Sequence, residues 1–123
     1  MIDFDVAKAA CEAYVRCLTE SDLEGLLDLF ADDAAIEDPV GTDWREGKEV
    51  LRAFYAKACQ GVAKAELTGN PRVAGNEVAF PFNVTAGAPG QQVVINIIDI
   101  FKFNDDGKIA TMRAFWGPNN MIS

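Results

Sequence analysis

Histidine is absent from the 123-residue chain. That absence excludes Ser-His-Asp and Cys-His nucleophile systems, and it excludes histidine metal sites. Any proton chemistry falls to carboxylates, tyrosine, lysine or cysteine. Cysteine is scarce and odd in number, with only Cys11, Cys17 and Cys59. Two of these lie in one helical stretch, so they read as thiols of a reducing compartment and not as a disulfide framework. Positive charge is in the minority: eleven Lys and Arg stand against nineteen Asp and Glu, a formal charge of −8. This balance argues against nucleic acid and anionic membrane as partners. No apolar run is long enough to span a membrane and no signal peptide is evident, so a cytoplasmic location is expected. Half of the residues are hydrophobic, which argues against global disorder. The length suits a single domain, 1–123, with one core and room for one pocket.

Residues 3 to about 19 carry a helical pattern, with Asp3 or Asp5 as cap and a stripe of Val6, Ala10, Ala13, Tyr14, Cys17 and Leu18. A second helix is expected from Leu23, Leu26, Leu27, Leu29 and Phe30. A short strand, Ala34 to Glu37, stops at Asp38-Pro39, and a turn-rich loop follows from Val40 to Gly47. A third helix is predicted from Gly47 to Gln60, burying Val50, Leu51, Phe54, Tyr55 and Ala58. Beyond it the chain reads as strands: Ala63 to Gly69, Pro71 to Ala74, Asn76 to Thr85, Gln91 to Phe103 and Lys108 to Gly117. Asn104 to Gly107 makes a hairpin turn, and Pro118 ends the last strand. Helices first and strands after them indicate an α+β domain, its helices packed on one face of a curved antiparallel sheet.

Several residues break this pattern. Val93, Ile95, Ile97, Asp99, Phe101 and Phe103 share one parity of a strand, so a carboxyl group stands among large apolar side chains. Either Asp99 is buried, which raises its pKa and lets it donate a hydrogen bond, or a bulge turns it outward. Tyr14 lies on the apolar stripe of the first helix, as core filler or with its hydroxyl partnered. Asp38, made extended by Pro39, is either a turn residue or a working side chain at the end of a strand. Tyr55 has the same ambiguity as Tyr14. Met112 and Trp116 share a parity and either line a pocket or fill the core. Asp32, Asp33 and Glu37 read as solvated surface charge, and Asp105-Asp106-Gly107 as turn chemistry, since a calcium loop needs further ligands.

Together these residues resemble bacterial ketosteroid isomerase, over nearly the whole chain. The segments that carry the resemblance are Ala31-Asp32-Asp33-Ala34, Ile36-Glu37-Asp38-Pro39-Val40-Gly41, Ala53-Phe54-Tyr55-Ala56, Ile98-Asp99-Ile100-Phe101-Lys102-Phe103-Asn104 and Thr111-Met112-Arg113-Ala114. The resemblance implies a cone-shaped α+β fold shared with nuclear transport factor 2 and the polyketide cyclases. In it three N-terminal helices pack on a strongly curved, mostly antiparallel sheet that encloses an apolar pocket. It implies steroid Δ-isomerase activity on a small-molecule steroid, with no metal or organic cofactor, in a homodimer joined through the sheets. Asp38 would be the general base, and Tyr14 with a protonated Asp99 would hold the ketone oxygen as it becomes an oxyanion. This family is itself the reference case of a carboxylic acid kept neutral near pH 7, so that property is carried over from it. Tyr55 would orient Tyr14, and with Phe30 where some members have another tyrosine the network would stop there. Phe54, Phe82, Val84, Met112, Phe115 and Trp116 are the expected pocket walls, with Phe82, Val84, Met112 and Trp116 foremost. Trp44 lies outside the family pattern and could sit near the pocket mouth. The rival expectations are another enzyme of this fold, of the polyketide cyclase or epoxide hydrolase type, and a non-catalytic binding module.

Overall fold

Asp3 starts the first helix by accepting the backbone N–H groups of Asp5 and Val6 at 2.8 and 3.3 Å, two of the donors a helix start leaves unpaired. In the computed structural model, which describes residues 1–123, this helix, α1, runs Phe4–Glu20. It buries Ala7, Cys11, Tyr14, Val15, Cys17 and Leu18. Val6, expected on the stripe, is 46% exposed. The buried face passes through Ala7, Cys11, Tyr14 and Leu18 at spacings of four, three and four, and Val6 lies about 100° from Ala7 around the helix. Asp22 caps the second helix, α2 (Leu23–Asp28), by accepting the N–H of Gly25 at 2.9 Å.

The second helix is shorter than expected. It covers Leu23–Asp28, and Phe30 opens strand β1, Phe30–Glu37. The cause is tertiary: the carbonyl of Leu29 accepts the N–H of Ile109 at 2.9 Å, and Phe30 pairs with Ile109. The ladder captures residues whose local pattern favours a helix. Within the turn-rich loop, Arg45–Glu46 form a two-residue strand, β2, antiparallel to β1. Helix α3 then runs Lys48–Gly61 and buries Leu51 and Tyr55. Val50, expected inside, is 45% exposed, because the inward face is set by Leu51, Tyr55 and their neighbours one turn away.

Strands β3 (Val62–Leu67), β4 (Arg72–Ala74), β5 (Glu77–Ala86), β6 (Val93–Phe103) and β7 (Ile109–Phe115) follow as read. β7 is not the last strand. After a 3₁₀ turn at Pro118–Asn120, Met121–Ile122 form β8 and pair with β6, a pairing too short to leave a sequence signal. The sheet order is β2-β1-β7-β6-β5-β3, with β4 also on β5 and β8 on β6. Only β1 and β7 are parallel, so the sheet is mixed and mostly antiparallel. The interior proline of β5 is tolerated for a clear reason. The Pro81 carbonyl accepts the N–H of Thr68, so its missing N–H faces the gap between the β3 and β4 pairings and not β6.

α1 packs against β3 and β5, and α3 against β1, so the helices cover the concave face. Val78, Phe80, Phe82 and Val84 of β5 point inward, in step with Asp99, Phe101 and Phe103 of β6. Phe101 is the hub: its ring lies 4.9 Å from Phe80, 5.2 Å from Tyr14, 6.3 Å from Phe103 and 6.5 Å from Phe30. Edge-to-face pairs of this kind add to simple burial. Phe101→Ala is expected to lower stability by about 3–5 kcal/mol, read from the denaturant midpoint at unchanged slope.

Candidate active site

A cavity of about 210 Å³ lies between the helices and the concave face of the sheet. It is lined by Tyr14 and Leu18 of α1, Phe54, Tyr55 and Ala58 of α3, and Val62 of β3. Phe82, Val84, Ile95, Ile97, Asp99 and Ala114 of the sheet, with Asp38 and Trp116, complete it. Asp38 and Asp99 are the only ionisable carboxyl groups in an otherwise apolar and aromatic wall. Burial is graded along it. Tyr14, Tyr55 and Asp99 are buried at the floor, while Asp38, Phe54 and Trp116 are partly exposed toward the mouth.

Asp99 points inward because the β5–β6 ladder runs from Glu77↔Lys102 to Ala86↔Val93 without a shift, pairing Asp99 with Phe80. The outward bulge does not occur. On its other side Asp99 pairs with Ala114, whose small side chain leaves space beside the carboxyl group. Asp99 is 1% exposed, and neither carboxyl oxygen has a protein donor. Burial pushes its carboxyl well above the ordinary carboxylate range, and the charge of Asp38 adds to this. The shift favours the uncharged acid, the form able to donate one hydrogen bond.

Tyr14 sits in an aromatic box with Tyr55, Phe80, Phe82 and Phe101. Its hydroxyl lies 3.0 Å from that of Tyr55, one donating to the other. Burial above all holds both phenols well above their ordinary pKa; Tyr55 and the carboxyl groups push Tyr14 further up, while for Tyr55 the carboxyl groups add to the rise and the hydrogen bond with Tyr14 opposes it. They remain neutral donors. The Phe30 ring lies 5.5 Å from Tyr55, and the hydroxyl chain goes no further.

Asp38 follows the last residue of β1 and turns into the cavity at its mouth. The Trp116 indole N–H donates to its Oδ1 at 2.9 Å. Burial raises the Asp38 pKa, while the Trp116 hydrogen bond and the charge of Arg45 oppose that rise. The Arg45 guanidinium stands 5.0 Å from the centroid of Phe54, a cavity wall, and its buried Nη1 has no hydrogen-bond partner. The two aspartates thus sit in different surroundings, one sealed and unpartnered, the other partly hydrated and accepting a hydrogen bond. The Cys11 thiol is pushed up to about 12, chiefly by burial, so it is no nucleophile at neutral pH.

Of the residues singled out in the sequence, the structure gathers Tyr14, Asp38, Phe54, Tyr55, Phe82, Val84, Asp99 and Trp116 around one cavity. Met112 does not line it. Met112 pairs with Phe101 behind the wall and is fully buried in the core, since the cavity reaches only as far along β7 as Ala114. Phe115 is 39% exposed on the opposite face of the sheet, as strand alternation from Ala114 requires. Trp44 lies 45% exposed on the loop before β2 and does not line the cavity. Glu37, expected to be solvated surface charge, is buried and accepts a hydrogen bond from Arg113 Nε at 3.0 Å. Leu18 and Ala58 were missed, yet each lies four residues after a chosen residue, Tyr14 and Phe54, so helical spacing places them on the same face. The Trp116–Asp38 hydrogen bond joins residues 78 apart in sequence and has no local signal.

Residues 11–112 match the SnoaL-like domain family. The chain is 38% identical over 115 residues to a steroid Delta-isomerase of Nocardioides simplex, covering 94% of this chain and 93% of that protein. It is also 36% identical to the epoxide hydrolase LasB of Streptomyces lasalocidi, spanning 91% of this chain but 42% of that longer protein. Among solved structures, the epoxide hydrolase/cyclase-like enzyme SalBIII superposes with a TM-score of 0.89 at 30% identity, covering 99% of this chain and 98% of the other. With a helix-covered curled sheet, a carboxyl-bearing apolar cavity and these relatives, the chain belongs to the SnoaL-like family and to its bacterial steroid Δ-isomerase branch.

Proposed function

We propose that the protein is a cofactor-independent steroid Δ-isomerase, moving the double bond of a 3-oxo-Δ5-steroid into conjugation with the ketone. The observation that carries this reading is Asp99: a fully buried carboxyl group with no protein donor to either oxygen, sharing one apolar cavity with Tyr14 and Asp38. An apolar cavity with few polar groups suits a flat hydrocarbon with one polar end. Its volume of about 210 Å³ holds the reacting rings, leaving the distal rings at the mouth beside Phe54 and Trp116. The Asp38 carboxylate removes a proton from the carbon between the ketone and the isolated double bond. The electrons move onto the ketone oxygen as a dienolate. The proton then returns from Asp38 to the carbon two positions further on, and the conjugated ketone re-forms.

The reaction uses the arrangement of this hydroxyl pair in which Tyr55 donates to the Tyr14 oxygen and the Tyr14 O–H is left for the substrate; the 3.0 Å separation accommodates either direction. The neutral Asp99 supplies the second donor. Both act most strongly when negative charge reaches the oxygen, and both are fixed in a site of low polarity. On this reading a positioned base contributes roughly 10²–10⁴-fold and each oxyanion donor roughly 10²–10³-fold. The exposed apolar side chains of the outer sheet face, Ile98, Phe115 and Ile122, suit burial against a second copy in a homodimer. The three unpaired cysteines suit a cytoplasmic location.

The relatives named as epoxide hydrolases support a second reading on the same groups. Asp38 would take a proton from water or a substrate hydroxyl, whose oxygen then attacks the epoxide carbon. The breaking C–O bond would leave its electrons on an oxygen protonated by Asp99. The isomerase reading is preferred because the steroid isomerase match covers both chains almost in full.

Purified protein is expected to convert a 3-oxo-Δ5-steroid to the conjugated enone, followed by its ultraviolet absorbance. Asp38→Asn is expected to lower kcat by roughly 10²–10⁴-fold while retaining affinity for a phenolic steroid; turnover at the parent rate would overturn the base assignment. The base works ionised and its pKa is raised, so kcat/KM should fall on acidification at a pH above the ordinary carboxylate value of 3.8. Trp116→Phe removes a hydrogen bond that holds the pKa down, so that acid limb should move to higher pH.

Asp99 makes a separate prediction about stability. Its folded pKa exceeds its unfolded one, so its contribution is complete below the unfolded value and declines as pH rises toward the folded value. Denaturant midpoints of Asp99→Asn should lose this alkaline decline relative to the parent.

A further inference from the structure

Glu37 immediately precedes Asp38, but alternation sends the two side chains to opposite faces of the sheet. Asp38 enters the cavity and Glu37 lies on the far face, where its side chain is only 12% exposed. One oxygen, Oε1, accepts from Arg113 Nε at 3.0 Å, and the other, Oε2, accepts the backbone N–H of Gly41 at 3.0 Å. Glu37 and Arg113 are also register partners in the parallel β1–β7 ladder. Arg113 is held in turn, its guanidinium 5.2 Å from the ring centroid of Phe115.

The consequence is topological. One buried carboxylate joins both ends of the turn 37–41 and ties that turn to β7, and the residue inside the turn is Asp38. Gly41 presents its N–H from φ +103°, a conformation in which any larger residue is strained. A further bond, Val40 N–H to the Ala114 carbonyl at 2.8 Å, fixes the turn beside the strand that also positions Trp116. The Gly41 hydrogen bond first, then Arg113, lower the Glu37 pKa from its ordinary value, which favours the ionised form of this anchor. The groups that face Asp38 itself are different: Trp116 beyond β7, Arg45 of β2, Asp99 of β6, Tyr14 of α1 and Tyr55 of α3.

We propose that Glu37 is a positioning residue: by bonding Arg113 and Gly41 from the outer face, it holds the 37–41 turn so that the Asp38 carboxylate stays over the cavity. The inference rests on Asp38 being the base, as proposed above. A misplacement of about 1 Å at a reacting group lowers rates by about 10²-fold. Loosening the turn also hydrates Asp38, and since burial is what raises its pKa, hydration lowers it.

The test measures Glu37→Ala and Glu37→Gln, each alone and combined with Asp38→Asn, by isomerisation rate, pH profile and affinity for a phenolic steroid. Glu37→Ala is expected to lower kcat by roughly 10–100-fold and move the acid limb to lower pH. Phenol affinity should hold within about twofold, because Tyr14 and Asp99 are untouched. Glu37→Gln should recover part of the rate, its amide oxygen still accepting from Gly41. In the Asp38→Asn background, Glu37→Ala should change nothing further. The proposal is overturned if Glu37→Ala keeps the parent kcat and acid limb, if it slows Asp38→Asn by the same factor, or if phenol affinity falls in proportion to kcat. If Glu37→Ala does not fold, Arg113→Met breaks the same anchor at a half-exposed site and is judged by the same criteria. Parent-rate turnover by Asp38→Asn alone would instead remove the base assignment and leave the outer-face anchor a purely structural one.

Discussion

The carboxyl group of Asp99 sits on the concave face of the sheet, out of water, with no protein donor to either oxygen. An ionised carboxylate there would be strongly destabilising, so burial favours the neutral acid well above the ordinary carboxylate range. Its orientation depends on the unshifted β5–β6 ladder, since a slip of one residue would send it to the outer face. The ladder in turn depends on the aromatic layer of Phe80, Phe82 and Phe101 that packs against α1. The helices, the sheet curvature and the apolar wall together enclose that group in a mostly apolar cavity.

Asp38 is the counterpart. Both aspartates line the same cavity, and burial raises the pKa of each, but only Asp38 has an indole donor and a nearby cation to oppose the rise. The two are coupled, because the charge on Asp38 helps to keep Asp99 protonated. In the proposed mechanism, proton transfer with no histidine rests on environment: the same side chain is used twice, in two protonation states. In the proposed reaction the negative charge moves from Asp38 toward the oxygen held by Asp99 and Tyr14. The donors that receive it are already in place.

The residues around Asp38 divide by sheet face. Trp116 and Arg45 tune it electrostatically, while Glu37 and Arg113 hold its backbone from behind. Edge-of-sheet turns are normally the mobile parts of a fold. Here the turn carrying the proposed base is tied down by side-chain and backbone hydrogen bonds, which is what a base that must reach two carbons of one substrate requires.

Much of this was legible along the chain. Strand parity put Asp99 among Ile95, Ile97 and Phe101, helical spacing put Tyr14 on an inward face, and Pro39 marked the end of β1 at Asp38. These are local periodicities, so the order and facing of most elements follow from sequence alone. What the sequence left open were matters of long-range pairing. Phe30 belongs to β1 because Ile109 captures it, and Met112 is core because the cavity stops at Ala114. Glu37 is an anchor because the parallel β1–β7 pairing brings Arg113 opposite it, and Asp38 gains its indole donor from a residue 78 positions away. Local sequence determined which face each side chain takes; only the tertiary structure decided which side chains meet, because hydrogen bonds and low polarity arise between segments that the chain itself keeps apart.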